Sequence, residues 1–107
     1  MLAVDLDGTV LGRGPIAPRD VEALHRAQDV GIEVVVATGR SWVESRDALK
    51  QLGLGGVMIA AGGAMLHEAD SGQPLHRGVL EDDVIKSVAC ALLAEGHVVN
   101  LLQDSHA

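Results

Sequence analysis

The chain opens on a short apolar run, Leu2 to Leu6, stopped by Asp7-Gly8-Thr9, which reads as a buried strand ending in a sharp turn. A loop rich in glycine and proline follows, from Gly12 to Ala17. Pro18 suits the first position of a helix; Val21, Leu24 and Ala27 then share one face, and Gly31 marks the end. Ile32 to Ala37 is a continuous, largely β-branched run, so a second buried strand is predicted, broken by Thr38-Gly39-Arg40. Ser41 and Glu44 have capping-box spacing, which predicts a helix from about Trp42 to Leu52 with Gly53 as its stop. Val57 to Ala60 is a third short strand, closed by Gly62-Gly63. This β-α-β-α-β alternation with short connections predicts an α/β fold with a parallel sheet and right-handed crossovers.

After Ala64 the pattern changes. Met65-Leu66-His67, then Asp70-Ser71-Gly72, then Leu75 to Leu80 reads as a β-hairpin around a turn. Glu81-Asp82-Asp83 places acids in the first turn of another helix, where they complement its dipole. Val84, Ile85, Val88, Leu92 and Leu93 are expected to form its buried face, Gly96 to end it, and His97 to Leu102 to form a last strand. The expected division is therefore 1–79, a core with a hairpin exit, and 80–107, the start of a second unit.

With 107 residues there is room for one domain, and 48% hydrophobic content predicts a packed core. That content is aliphatic, with Trp42 the only aromatic residue, as suits buried strands between helices. The net charge of −7 argues against nucleic acid as a partner. An anionic substrate would need a divalent cation to offset this field. Cys90 stands alone, so no disulfide can form within the chain; a reducing cytoplasm is the simplest compartment, and the residue reads as a small packing group. No run approaches the roughly 20 apolar residues of a membrane span, and no basic leader precedes Leu2, so a soluble, unexported protein is expected.

The sharpest chemical feature is Val4-Asp5-Leu6-Asp7-Gly8-Thr9-Val10. Two carboxylates two residues apart at a strand end start on the same side, where open α/β sheets bind ligands. Gly8 lets the backbone turn and approach a bound group closely. Paired acids repel each other and need a proton or metal; magnesium takes hard oxygen ligands of this kind. The plainer alternative is a pair of surface acids capping a turn. Thr38-Gly39-Arg40-Ser41 is the second feature: a hydroxyl at a strand end beside a helix start can donate to phosphate oxygens. Arg40 either contacts a phosphate or pairs with a nearby acid.

Other candidates are weaker. Gly12 to Ala17 formally matches G-x-G-x-x-A, but two prolines and its placement argue against dinucleotide binding. His25, His67, His76, His97 and His106 lack metal-ligand spacing and read as surface residues. Trp42 reads as packing at a helix start, and Lys86 as solvated.

Asp5 to Val10 resembles the first signature, D-x-D-G-T-[LV], of the haloacid dehalogenase-like superfamily, and Ala37-Thr38-Gly39-Arg40 resembles its second signature in the Cof-like sugar-phosphatase branch. The resemblance implies a Rossmann-like three-layer core, here partial, followed by the start of an α+β cap. It implies Asp5 as nucleophile, Asp7 as general acid/base, and Mg2+ held by Asp5 and the backbone carbonyl of Asp7. It further implies that Gly8, Thr9, Thr38, Gly39 and Arg40 face the phosphate. Gly62-Gly63-Ala64 departs from the branch's N-G-A, removing one amide side chain. A later lysine and a G-D-x-x-x-D-like acidic motif are missing: Lys50 and Lys86 lie on predicted helices, and Gln103-Asp104-Ser105-His106 does not resemble the acidic motif.

The implied activity is magnesium-dependent hydrolysis of a small phosphorylated metabolite, such as a sugar phosphate, with the 107-residue chain inactive by itself. A receiver-like phosphoacceptor fits less well, because receivers carry their acceptor Asp on a later strand. A truncated or non-catalytic module that binds magnesium or phosphate is the other alternative. By analogy with the family the first strand lies centrally in its sheet, so the chain alone is expected to self-associate through an unpaired edge, or to be poorly soluble.

Overall fold

The structure, a computed structural model, describes residues 1–102. Five strands form one mixed sheet in the order β1-β2-β3-β4-β5: β1 (Leu2–Val4), β2 (Val34–Ala37), β3 (Val57–Ala60), β4 (Met65–Glu68) and β5 (Pro74–Arg77). The first three are parallel, with Leu2 opposite Val34 and Val36 opposite Met58. Helices α1 (Pro18–Asp29) and α2 (Trp42–Leu52) make the two crossovers, and α3 (Asp82–Ala94) follows the hairpin. β4 and β5 run antiparallel and extend the same sheet from β3.

Local chemistry accounts for the boundaries. Val34, Val35 and Val36 are all buried, the mark of a strand covered on both faces. The α2 capping box is formed: Ser41 Oγ accepts from the Glu44 N–H at 3.4 Å, and Glu44 Oε2 accepts from the Ser41 N–H at 2.8 Å. Gly53 ends that helix at φ 64°, a left-handed conformation that glycine adopts without strain. Leu49 and Leu52 of α2 pack with Leu6, Met58 and Ala60 in one core on the sheet. Burying each large aliphatic side chain contributes about 1.5–3 kcal/mol.

Several expectations need correction. Leu2 and Ala3 are exposed rather than buried, although β1 does lie at an edge of the sheet among the described residues, as expected for this chain. The strand ends at Val4, because the backbone turns at Asp5 to Leu11 instead of staying in register with β2. No residue of α3 is buried; its apolar face, with Val84, Val88, Leu92 and Leu93 all exposed, has no core element to cover it among the described residues. His97 to Leu102 is not a strand; among the described residues no sheet partner lies beside it to complete a ladder. Cys90 is exposed, following from the same uncovered helix. The Gln103 to His106 segment lies outside the described residues.

Candidate active site

Asp5 and Asp7 flank Leu6 just past the end of β1; Leu6 is fully buried and both acids are exposed. Leu6 anchors the turn through its main chain as well: its carbonyl accepts from the N–H groups of Thr9, Val10 and Leu11 at 3.2, 3.1 and 2.8 Å. Gly8 sits at φ 77° and donates to the Leu11 carbonyl at 2.9 Å, a bend that a side-chain-bearing residue rarely adopts. The Asp5 carboxylate accepts from the Leu6 N–H at 2.8 Å through Oδ1.

The loop after β2 meets this tip. Thr38 is buried; its N–H donates to the Ile59 carbonyl at 2.9 Å, and its Oγ1 accepts from the Arg40 N–H at 3.2 Å. The loop after β3 holds it from the other side. Gly62 N–H donates to the Thr38 carbonyl at 3.1 Å, and Ala61 N–H to the Arg40 carbonyl at 2.8 Å. Forming these bonds puts Ala61 at φ 50° and Gly62 at φ 64°. For alanine that conformation costs about 1–2 kcal/mol.

From this braced loop the Arg40 guanidinium reaches Asp7. Nε donates to Oδ2 at 2.7 Å and Nη2 to Oδ1 at 2.5 Å. The sequence left Arg40 two partners, a phosphate or an acid, and in this structure the acid holds it. Hydrogen bonding to Arg40 keeps the Asp7 carboxyl below the usual carboxylate range, with the guanidinium charge adding to it, and Arg40 is correspondingly raised. Glu44 is also lowered, first by the Ser41 N–H it accepts from and then by the Ser41 hydroxyl.

Asp5, Asp7, Gly8, Thr9, Thr38, Gly39 and Arg40 thus lie on two consecutive parallel strand ends, and the Arg40–Asp7 bonds join the two loops directly. Hard oxygen donors at Asp5 and Asp7 fit a magnesium ion in kind. They fall short in number: among the described residues no group of three His, Cys, Asp or Glu side chains could hold a metal. One surface cleft lies along α1, beside Val21 and His25, and another beside Arg46, Lys50 and Asp70; neither is lined by a residue of the site.

Sequence reasoning did not single out Ala61, which acts through its backbone N–H, a group every residue except proline carries. It also placed His67 on the surface; the ring is buried, with Nδ1 3.1 Å from the Gly72 carbonyl oxygen, because β4 turns that position toward the core.

The chain matches the family model of haloacid dehalogenase-like hydrolases over residues 2–107. It is 34% identical over 107 residues to the 5-amino-6-(5-phospho-D-ribitylamino)uracil phosphatase YwtE of Bacillus subtilis, covering 98% of this chain and 36% of that protein. It is 33% identical over 105 residues to the HMP-PP phosphatase of Yersinia pestis, covering 97% of this chain and 38% of that protein. A solved haloacid dehalogenase-like hydrolase from B. subtilis superposes with a TM-score of 0.78 at 32% identity, over 89% of this chain and 33% of that one. The chain therefore spans a little over a third of the length of these curated relatives.

Proposed function

This chain belongs to the haloacid dehalogenase-like hydrolase family, and from that membership we propose that it carries the phosphate-transfer portion of a magnesium-dependent phosphomonoester hydrolase. The observation that carries the reading is the Asp5/Asp7 pair at the tip of β1, joined through Arg40 to the Thr38 loop at the tip of β2.

In the proposed reaction an Asp5 carboxylate oxygen attacks phosphorus while the bond from phosphorus to the leaving oxygen breaks. Asp7, ionised beside Arg40 in the free protein and protonated in the substrate complex, gives that oxygen its proton. Water, deprotonated by Asp7, then attacks the aspartyl-phosphate; the Asp5–phosphorus bond breaks, inorganic phosphate leaves, and both carboxyls return to their starting states. Splitting one displacement into two lowers each barrier, and one acid/base can serve both steps. Thr38 and the Gly39 main chain would orient the phosphoryl oxygens, with Arg40 as a cation on the same rim; the Gly8 and Thr9 N–H groups would first have to leave the Leu11 and Leu6 carbonyls they bond here. Asp5 and the Asp7 carbonyl would hold Mg2+, which when bound offsets the charge between carboxylate and phosphate.

The relatives' names support a small phosphorylated metabolite as substrate, since both act on compounds of that class. A cytoplasmic setting suits such a substrate. Residues 80–107 would begin the cap that selects it. For the 107-residue chain alone, a non-catalytic magnesium- or phosphate-binding module is the second reading.

The test is release of phosphate from p-nitrophenyl phosphate and a panel of sugar phosphates by the whole protein, with and without magnesium. Turnover that needs magnesium and falls to background in Asp5→Asn is expected; turnover that survives the substitution would remove Asp5 from the chemistry.

A further inference from the structure

Asp7 projects from an exposed turn, with Gly8 and Thr9 beside it also exposed, so packing does little to choose its side-chain orientation. Arg40 is the opposite case. Its N–H is fixed on Thr38 Oγ1 at 3.2 Å, its carbonyl on the Ala61 N–H at 2.8 Å, and Nη1 lies 3.5 Å from the Glu44 carbonyl oxygen. The guanidinium then meets Asp7 at two points, Nε with Oδ2 and Nη2 with Oδ1. Two parallel bonds between planar groups set rotation as well as distance, which one ammonium cannot do.

We infer that Arg40 is a positioning residue, a two-point clamp by which the β2 loop fixes the orientation of the Asp7 carboxylate. The inference rests on the reading of Asp7 as the proton carrier. It assigns Arg40 a role that acts through Asp7 and is separate from direct phosphate binding. Orientation of this kind is worth much to a reaction: misplacing a reacting group by 1 Å can lower the rate by about 10²-fold.

The discriminating measurement is the set of three-bond couplings about Asp7 χ1, by NMR on the full chain, in wild type, Arg40→Lys and Arg40→Gln. Unchanged α2 amide shifts serve as the check on folding. One rotamer is expected in wild type and averaged couplings in both variants. In turnover by the whole protein, Arg40→Lys should lower kcat on the order of 10- to 100-fold with KM within about two-fold. A single Asp7 rotamer retained in Arg40→Gln overturns the clamp, and so does a raised KM with unchanged kcat, which would place Arg40 on the phosphate. The couplings need no catalysis. Ordered Asp7 in wild type, lost in Arg40→Gln, in a protein without phosphatase activity would support the clamp and contradict the phosphatase reading alone.

Discussion

The indole ring of Trp42 lies so close over Gly72 that a Cβ added at residue 72 would stand 2.6 Å from three ring atoms. Its Nε1–H donates to the Ala69 carbonyl at 2.9 Å, so the first residue of α2 is fastened to the β4–β5 turn by a hydrogen bond and by close contact. Trp42 stands two positions after Arg40, which ties this contact to the site loop.

Gly72→Ala should therefore be destabilising. Gly72 has φ 74° and no room for a side chain, and forcing atoms into a filled space costs about 1–3 kcal/mol. Gly62→Asn makes the contrast: φ is 64°, which asparagine tolerates, and nothing lies within 4 Å of an added Cβ. Its expected effect is within about 0.5 kcal/mol. Urea unfolding followed by Trp42 fluorescence checks both, since Trp42 is the only tryptophan.

Acid should weaken the site before it weakens the core. The Asp7 and Glu44 carboxyls are both lowered on folding, so each stabilises the fold above the ordinary carboxylate value and loses that contribution as pH falls through its folded value. The urea midpoint should be level near neutral pH and fall below about pH 4. Asp7→Asn and Glu44→Gln should each flatten that fall. A fall of unchanged steepness in both variants would assign the acid sensitivity elsewhere.

The exposed edge of β1 predicts self-association of the 107-residue chain. β1 bonds to β2 on one side, and among the described residues no strand pairs with its other side. Sedimentation should show the average mass rising with concentration, and Ala3→Pro, which removes a main-chain donor from that strand, should reduce the effect. A single monomer species at high concentration would contradict the prediction.

Much of the parallel half of the fold was legible because its signals are local. The Ser41/Glu44 spacing, Pro18 at a helix start and the valine run from Val34 to Val36 each act within a few residues. The failures after the hairpin share one physical cause. Val84, Val88, Leu92 and Leu93 have the spacing of a buried face, yet periodicity says only which side is apolar and not whether anything covers it. His97 to Leu102 has strand-like composition, but a strand exists only with a partner. At the site, the Asp5/Asp7 and Thr38 motifs could be read directly, whereas the Arg40–Asp7 pairing joins residues 33 apart and needed the two strand ends side by side.

The central claim is that Asp5 offers its carboxylate to phosphorus. Beryllium fluoride, which mimics a phosphoryl group on an aspartate, tests it without a known substrate. Fluorine NMR of the protein with magnesium should show a bound beryllium fluoride signal that disappears on removing magnesium and is absent from Asp5→Asn. A bound signal of equal strength in Asp5→Asn would contradict the account.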